Sequence, residues 1–62
     1  MMTAYDHTSA KIAEDAGIPI VLVGDSLGQV VLGYHSTVPV TMDEMVHHIR
    51  AVVRSTHKAH IV

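Results

Sequence analysis

The chain has no cysteine, tryptophan or phenylalanine, and these absences exclude several kinds of site. Without cysteine it has neither a disulfide nor a thiolate zinc site, which often stabilise very small domains. With only two tyrosines, a base-stacking surface for nucleic acid is not expected. Lysine and arginine total four and are scattered, so there is no basic patch for a phosphate backbone. We therefore predict no nucleic-acid partner.

Long hydrophobic runs are also absent. The longest, residues 18–23, is interrupted by Pro19 and is far too short to span a membrane. The first six residues, MMTAYD, lack the charged and apolar regions of a signal peptide. These features predict a cytoplasmic protein with no membrane partner.

The composition that remains is that of a globular protein. Hydrophobic residues make up 48% of the chain and the net charge is only −2, which argues against disorder. A domain of 62 residues is nevertheless marginal, because it buries only about 60% of the surface of its unfolded chain. The sequence shows no linker or repeat, so we interpret residues 1–62 as one partial domain.

The first part of the chain predicts a strand, a helix and a second strand. Residues 1–4 are typical of the end of a strand. Residues 8–16 have a helical period, with Asp6 or Thr8 as the cap of the helix. Gly17 occupies the position of a helix C-terminal glycine. The next segment, IPIVLV, is apolar throughout, which favours a strand covered on both faces in a parallel sheet.

The second part repeats this order after a longer connection. Residues 27–32 predict a short helical turn, and residues 34–39 predict a loop. Thr41 and Glu44 have the spacing of a capping box at the start of a longer helix. One face of that helix carries the apolar residues Met42, Met45, Val46, Ile49, Val52 and Val53. Residues 59–62 are typical of the start of a strand, so the whole pattern predicts parallel βα units.

The main polar signal is Gly24-Asp25-Ser26, which ends the second predicted strand. In βα folds, ligands bind at the carboxyl ends of the strands. Asp25 could bind a hard cation there, and Ser26 could bind a substrate oxygen. Glycine, aspartate and serine are also common turn formers, and spacing alone favours that simpler interpretation. Tyr5-Asp6 has the same ambiguity, since the pair could be functional or could be a packed ring and a helix cap.

Two other possible sites lack the necessary spacing. The glycines match neither common phosphate-binding motif, GxGxxG or GxxxxGK followed by serine or threonine. No two of the six histidines lie four positions apart, so the chain has no His-x-x-x-His pair. His47 and His48 are adjacent and therefore point about 100° apart on a helix. Solvated or partly packed histidines are the better interpretation.

Six segments of the chain resemble the ketopantoate hydroxymethyltransferase family. They are residues 3–6 (TAYD), 9–11 (SAK), 16–19 (AGIP), 21–28 (VLVGDSLG), 30–34 (VVLGY) and 36–41 (STVPVT). The resemblance extends over essentially the whole chain, and residues 23–41 are its most specific part. His35 departs from the family, which usually has aspartate at that position, and we do not expect this to affect the metal site.

The resemblance implies a fold and an activity. The fold would be a (β/α)8 TIM barrel, of which this chain would form roughly the first two βα units and the start of the third strand. Family members add a hydroxymethyl group from 5,10-methylenetetrahydrofolate to 3-methyl-2-oxobutanoate, giving ketopantoate for pantothenate synthesis. They depend on Mg²⁺ and form homo-oligomers. The partners implied are thus a small 2-oxo acid, a folate and further copies of the same protein.

The resemblance also assigns roles to two residues. Asp25 matches a metal-ligating aspartate that lies in the substrate site, and Ser26 matches a residue that contacts the 2-oxo acid. A second metal-ligating aspartate is expected about two residues beyond Val62. A substrate-binding lysine, a metal-associated glutamate and the catalytic glutamate are expected later still, so no catalytic residue is expected within residues 1–62.

Two alternative functions remain open from the sequence. Another magnesium-dependent 2-oxo-acid lyase or mutase, of the phosphoenolpyruvate mutase and isocitrate lyase superfamily, would share Tyr5-Asp6 and a polar strand end. It would not share the segment STVPVT at residues 36–41. The other alternative is a non-catalytic remnant that binds a partner through exposed helix faces.

Overall fold

The computed structural model describes all 62 residues, as a small α/β unit with a three-stranded parallel sheet. Its elements, in chain order, are β1 (Met2–Thr3), α1 (His7–Asp15), β2 (Ile20–Leu22), α2 (Leu27–Val30), α3 (Met42–Ser55) and β3 (His60–Ile61). The strand order is β1-β2-β3, with β2 in the centre, and α1 packs against α3. The predicted alternation of parallel strands and helices is confirmed.

Both ends of α1 follow from local sequence signals. Of the two predicted caps, Asp6 is the one used: its carboxylate accepts from the Ser9 amide at 2.8 Å, and the Ser9 side chain completes a capping box. The Ser9 hydroxyl and amide together hold the pKa of Asp6 below its usual value. At the other end, Gly17 has a φ of +83°, which only glycine adopts at little cost.

The central strand is shorter than the predicted segment of residues 18–23. Pro19 precedes β2 because its nitrogen cannot donate to a neighbouring strand. Backbone pairing continues past the strand, since Val23 donates to the Val62 carbonyl at 3.0 Å and Ala4 donates to Leu22 at 3.1 Å. Val21 is completely buried, as expected for a central strand.

The capping box of α3 is confirmed. Thr41 accepts from the Glu44 amide at 3.1 Å, and Glu44 accepts from the Thr41 amide at 2.8 Å. The buried stripe of this helix is narrower than the predicted apolar face, however: Val52 is buried, whereas Met42 is 74% exposed and Val53 is also exposed. At 100° per residue, Met42 and Val53 lie at the edge of a stripe centred on the residues that face α1 and the sheet.

A carboxylate joins the end of α1 to the start of β3. Glu14 accepts hydrogen bonds from the backbone amides of Lys58 at 2.7 Å, Ala59 at 3.0 Å and His57 at 2.7 Å. These three donors, Lys58 and Ala59 foremost, lower the pKa of Glu14 from 4.5 to about 2. One side chain thus satisfies three backbone groups in the connection between α3 and β3.

Glu14→Gln should destabilise a full-length protein containing this chain at neutral pH, and the difference from wild type should shrink in acid. The carboxylate contributes its stabilisation fully above about pH 4.5 and loses it as the pH falls through about 2, because only the ionised form accepts strongly from all three amides. Urea unfolding of both proteins over this pH range measures the effect. Asp15→Asn is the control, since Asp15 forms only an exposed ion pair with Lys11. A pH-independent difference would refute the interpretation.

Few side chains are fully buried, and several large apolar ones are exposed. Only nine of the 62 residues are buried, while Val30 is 71% exposed and Val38 is 88% exposed. This apolar surface therefore lacks packing partners within these residues.

No helix in the chain has both the length and the apolar character that crossing a membrane requires.

The isolated 62-residue chain should consequently fold poorly or self-associate. Its buried core consists of seven hydrophobic residues, three of which are alanines, and so provides little hydrophobic stabilisation against chain entropy. Circular dichroism during heating, combined with sedimentation, tests this expectation. A cooperative unfolding transition of a monomer would contradict it.

Candidate functional site

The candidate site lies at the carboxyl end of β2, where a turn leads into α2. Val23 is buried, and the next residues leave the sheet: the Leu27 amide donates to the Gly24 carbonyl at 3.2 Å. Asp25 and Ser26 form the turn between them. The turn interpretation of this segment is therefore correct for the backbone, and the functional question concerns the side chains.

The Asp25 carboxylate does not stabilise this turn. It is exposed and takes part in no hydrogen bond or ion pair within the chain, the only salt bridge being that between Lys11 and Asp15. Asp6 shows the contrast, because its carboxylate caps a helix by accepting from Ser9. An aspartate that only shapes a turn commonly bonds to nearby backbone amides. Asp25 is instead free to bind something outside these residues.

Ser26 is held by a residue from the neighbouring strand. The hydroxyl groups of Ser26 and Tyr5 lie 2.5 Å apart and share a hydrogen bond. Tyr5 follows β1 just as Ser26 follows β2, and the two strands are parallel neighbours, so their carboxyl ends meet at one edge of the sheet. Ser26 is not used as a helix cap, since its hydroxyl makes no bond to the backbone of α2.

Tyr5 is in turn held by α3. The Nδ1 atom of His48 lies 2.7 Å from the Tyr5 carbonyl oxygen, and because a carbonyl has no proton, the imidazole is the donor. His48 is half-buried, which agrees with the predicted partial packing of the histidines. The site thus combines residues that follow β1, residues that follow β2, and one side chain from α3.

A second tyrosine fixes the loop that precedes α3. The Tyr34 hydroxyl donates to the Glu44 carboxylate at 2.8 Å, and the Tyr34 amide donates to the Gly28 carbonyl at 2.7 Å. The bond to Glu44 raises the pKa of Tyr34, while the Thr41 amide and the Tyr34 hydroxyl lower the pKa of Glu44. The loop of residues 34–40 is therefore attached both to α2 and to the first turn of α3.

No group of three or more histidine, cysteine, aspartate or glutamate side chains in this chain is arranged to hold a metal ion. Within these residues, Asp25 is the candidate ligand that combines exposure, a free carboxylate and a place at the carboxyl edge of the sheet. The one cavity found, of about 240 Å³ and open to solvent, lies elsewhere. It is lined by Glu14, Gly17, Ile18, Pro19, Lys58 and Ala59, at the amino end of β2.

Sequence reasoning identified Asp25 and Ser26 and left Tyr5 open as either functional or packed, but it did not predict the contacts of these residues. The contact between Tyr5 and Ser26 could have been predicted, because parallel strands place residues after β1 and β2 at the same edge. No sequence signal pointed to the bond from His48 to Tyr5, which joins residues 43 positions apart. His35, which departs from the family pattern, is exposed, and its carbonyl accepts from Gln29 at 3.3 Å.

Comparisons with known proteins identify the family of the chain. The sequence model of the ketopantoate hydroxymethyltransferase family matches residues 1–62. The chain is 71% identical over its full length to the 3-methyl-2-oxobutanoate hydroxymethyltransferase of Chloroflexus aurantiacus. It is 63% identical to the enzymes of the same name from Carboxydothermus hydrogenoformans and Moorella thermoacetica.

These matches cover the whole of this chain but only a part of each relative. The chain spans 22% of the Chloroflexus aurantiacus and Carboxydothermus hydrogenoformans proteins and 23% of the Moorella thermoacetica protein. The chain belongs to the ketopantoate hydroxymethyltransferase family.

Proposed function

We propose that the protein containing this chain transfers a hydroxymethyl group from 5,10-methylenetetrahydrofolate to 3-methyl-2-oxobutanoate and so forms ketopantoate for pantothenate synthesis. The observation that carries the proposal is the free Asp25 carboxylate beside Ser26, at the carboxyl edge of the sheet, in a chain that belongs to this family throughout its length. The completed fold would be a (β/α)8 barrel, with its ligands at this edge of the strands.

Asp25 fits the role of a Mg²⁺ ligand because it offers a hard anionic oxygen with no competing partner in the chain. The strand register supports a second ligand beside it. Ile20 pairs with His60 and Val21 with Ile61, so a residue two positions beyond Val62 would lie next to Gly24 on the neighbouring strand. That is the position at which the family resemblance implies a second aspartate. Bound magnesium would polarise the keto and carboxylate oxygens of a 2-oxo acid.

Ser26 would orient the substrate. A serine hydroxyl can donate to a carboxylate or keto oxygen of the 2-oxo acid while it accepts from another group. The folate would supply the one-carbon unit, and the chemistry of that transfer belongs to the folate. The base that removes the C3 proton would come from outside residues 1–62. As in the family, the complete protein would assemble as a homo-oligomer.

The two alternative functions are now less favoured. A lyase or mutase of the wider superfamily does not account for a family match that includes residues 36–41. A non-catalytic remnant does not account for a carboxylate left free at the ligand-binding edge of the sheet. Exposed apolar helix residues such as Val30 and Met42 would be found both in a partner-binding remnant and in an incomplete barrel, so they do not favour the remnant specifically.

The test uses a complete barrel. Replacing the matching segment of the Chloroflexus aurantiacus relative with these 62 residues gives a chimera, called here the completed enzyme. We expect it to form ketopantoate from 3-methyl-2-oxobutanoate and 5,10-methylenetetrahydrofolate. We expect this reaction to stop when magnesium is chelated. A folded completed enzyme that makes no ketopantoate, or makes it equally well with a chelator present, would overturn the proposal.

A further inference from the structure

Two hydrogen bonds connect the middle of α3 to Ser26 through Tyr5. His48 donates from Nδ1 to the Tyr5 carbonyl at 2.7 Å, and the Tyr5 hydroxyl lies 2.5 Å from the Ser26 Oγ atom. All three side chains are half-buried, so competition from water is reduced. The connection runs from a helix on the outside of the sheet to the edge where the proposed substrate would bind.

The direction of the hydrogen bond between the two hydroxyls decides what Ser26 can do. A phenol is a stronger acid than an aliphatic alcohol, so Tyr5 is the better donor and Ser26 the better acceptor. With Tyr5 donating, the Ser26 proton is free to point toward an oxygen of another molecule. If Ser26 donated to Tyr5 instead, it could offer an anionic substrate only lone pairs.

The hydrogen bond from the His48 side chain to the Tyr5 carbonyl fixes the backbone position from which the Tyr5 ring extends. Tyr5 lies between β1 and the cap of α1, outside both elements, and its amide donates a 3.3 Å hydrogen bond to the Ser9 Oγ atom. The neighbouring Asp6 is fixed by the capping box with Ser9. Anchoring the Tyr5 carbonyl to α3 restrains the ring on its other side and so holds the phenol against Ser26.

We propose that Tyr5 and His48 are positioning residues that hold the Ser26 hydroxyl as a hydrogen-bond donor to the 2-oxo acid. The inference rests on the proposed function, because it takes Ser26 as a substrate contact. Tyr5 takes no part in the proton transfer or the one-carbon transfer. The simpler alternative is that Tyr5 and His48 only pack, and it predicts that Tyr5→Phe leaves the KM for the 2-oxo acid unchanged.

The first test measures the KM for 3-methyl-2-oxobutanoate in the completed enzyme. Tyr5→Phe keeps the ring and should raise this KM about 3- to 10-fold, the scale of one lost hydrogen bond, with a smaller change in kcat. Ser26→Ala should raise it at least as much. Because Tyr5 acts through Ser26, the double variant should be no worse than Ser26→Ala alone.

The second test replaces His48 with asparagine or glutamine, whose amide groups lie at different distances from the backbone. Asparagine places an NH₂ donor near the position of Nδ1 of histidine, whereas glutamine places it near Nε2. His48→Asn should therefore keep a nearly normal KM, while His48→Gln and His48→Leu should raise it about as much as Tyr5→Phe. A purely structural role for the imidazole would not separate asparagine from glutamine in this way.

The chain offers a matched control for each substitution. Tyr34→Phe also removes a half-buried phenol hydroxyl, but one that donates to Glu44, and it should leave the KM unchanged. His47→Leu removes the adjacent imidazole, which is exposed and contacts the His48 ring edge-on at 5.3 Å between centroids. It too should leave the KM unchanged, and melting temperatures establish that each variant is folded.

The outcomes separate this inference from the proposed function. If Ser26→Ala raises the KM but Tyr5→Phe does not, or if the two effects multiply in the double variant, Tyr5 does not act through Ser26. If His48→Asn is as impaired as His48→Leu, the bond to the Tyr5 carbonyl is not what matters. If Ser26→Ala has a normal KM, the assignment of Ser26 to the substrate fails, and the positioning role fails with it.

Discussion

Asp25→Asn should lower magnesium-dependent proton exchange at C3 of 3-methyl-2-oxobutanoate on the order of 100-fold in the completed enzyme, the scale for loss of one preorganised electrostatic group. The exchange is followed by deuterium incorporation without folate, so it reports proton removal alone. Asparagine preserves the shape of the side chain and forms turns well. The substitution therefore removes the negative charge and leaves the turn intact.

The same variant should bind magnesium more weakly, which is a second readout that does not depend on turnover. The neutral amide offers a weaker oxygen ligand than a carboxylate, so a higher magnesium concentration should be needed for half-maximal exchange. Titration calorimetry of the completed enzyme measures the affinity directly. Wild-type and Asp25→Asn proteins with equal exchange rates at low magnesium would rule out the ligand assignment.

Asp15→Asn is the matched control for this experiment. Asp15 is an exposed aspartate at the end of α1, and its carboxylate lies 3.6 Å from the Lys11 ammonium group. Its removal changes the net charge by the same amount, far from the carboxyl edge of the sheet. A similar loss of exchange in Asp15→Asn would indicate a general effect of charge rather than loss of a ligand.

The parts of the fold that the sequence predicted are those with local causes. A capping box depends on two residues three positions apart, so Thr41 and Glu44 were enough to locate the start of α3. Gly17 likewise marks the end of α1 because its φ of +83° is a local property. The prediction of the buried face of α3 was less accurate, since the extent of that face depends on which other elements are present to cover Met42 and Val53.

The candidate site was predictable to the same degree. Asp25 and Ser26 stand out because polar residues interrupt an apolar strand. The neighbours of Ser26 depend on how elements pack: strand pairing determines the contact with Tyr5, and the position of α3 relative to β1 determines the contact between Tyr5 and His48. The strand pairing follows from the predicted order of parallel strands, whereas a single sequence carries no local signal for the packing of α3 against Tyr5.

Gly28 is needed for a reason that the sequence pattern does not show. It lies in the segment of residues 27–32 that the sequence predicted to be a short helical turn, and its φ is not in the left-handed region. The structure gives a different reason for glycine. Gly28 is buried in α2, where a Cβ atom would overlap the Val40 Cγ2 methyl and lie 3.3 Å from Cδ2 of Tyr34. The residue allows α2 to approach the loop before α3.

Gly28→Ala should therefore destabilise the completed enzyme by about 1–3 kcal/mol, the usual cost of adding a methyl group to a packed site. Val40 is β-branched and has few rotamers, so relief requires a shift of the loop or of α2. Because α2 begins at Leu27, next to Ser26, a shift of α2 should also raise the KM for the 2-oxo acid. Urea unfolding and steady-state kinetics measure the two effects.

The double variant Gly28→Ala/Val40→Ala identifies the cause. Removing the Val40 methyl groups should make the alanine at position 28 fit, so the double variant should be less destabilised than the sum of the single changes. Gly24→Ala is the control, since a Cβ there would make only ordinary contacts, the nearest at 3.7 Å to the Leu22 side chain. Strict additivity of the two changes, or an equal loss of stability in Gly24→Ala, would show that close packing against Val40 is not the reason for glycine at position 28.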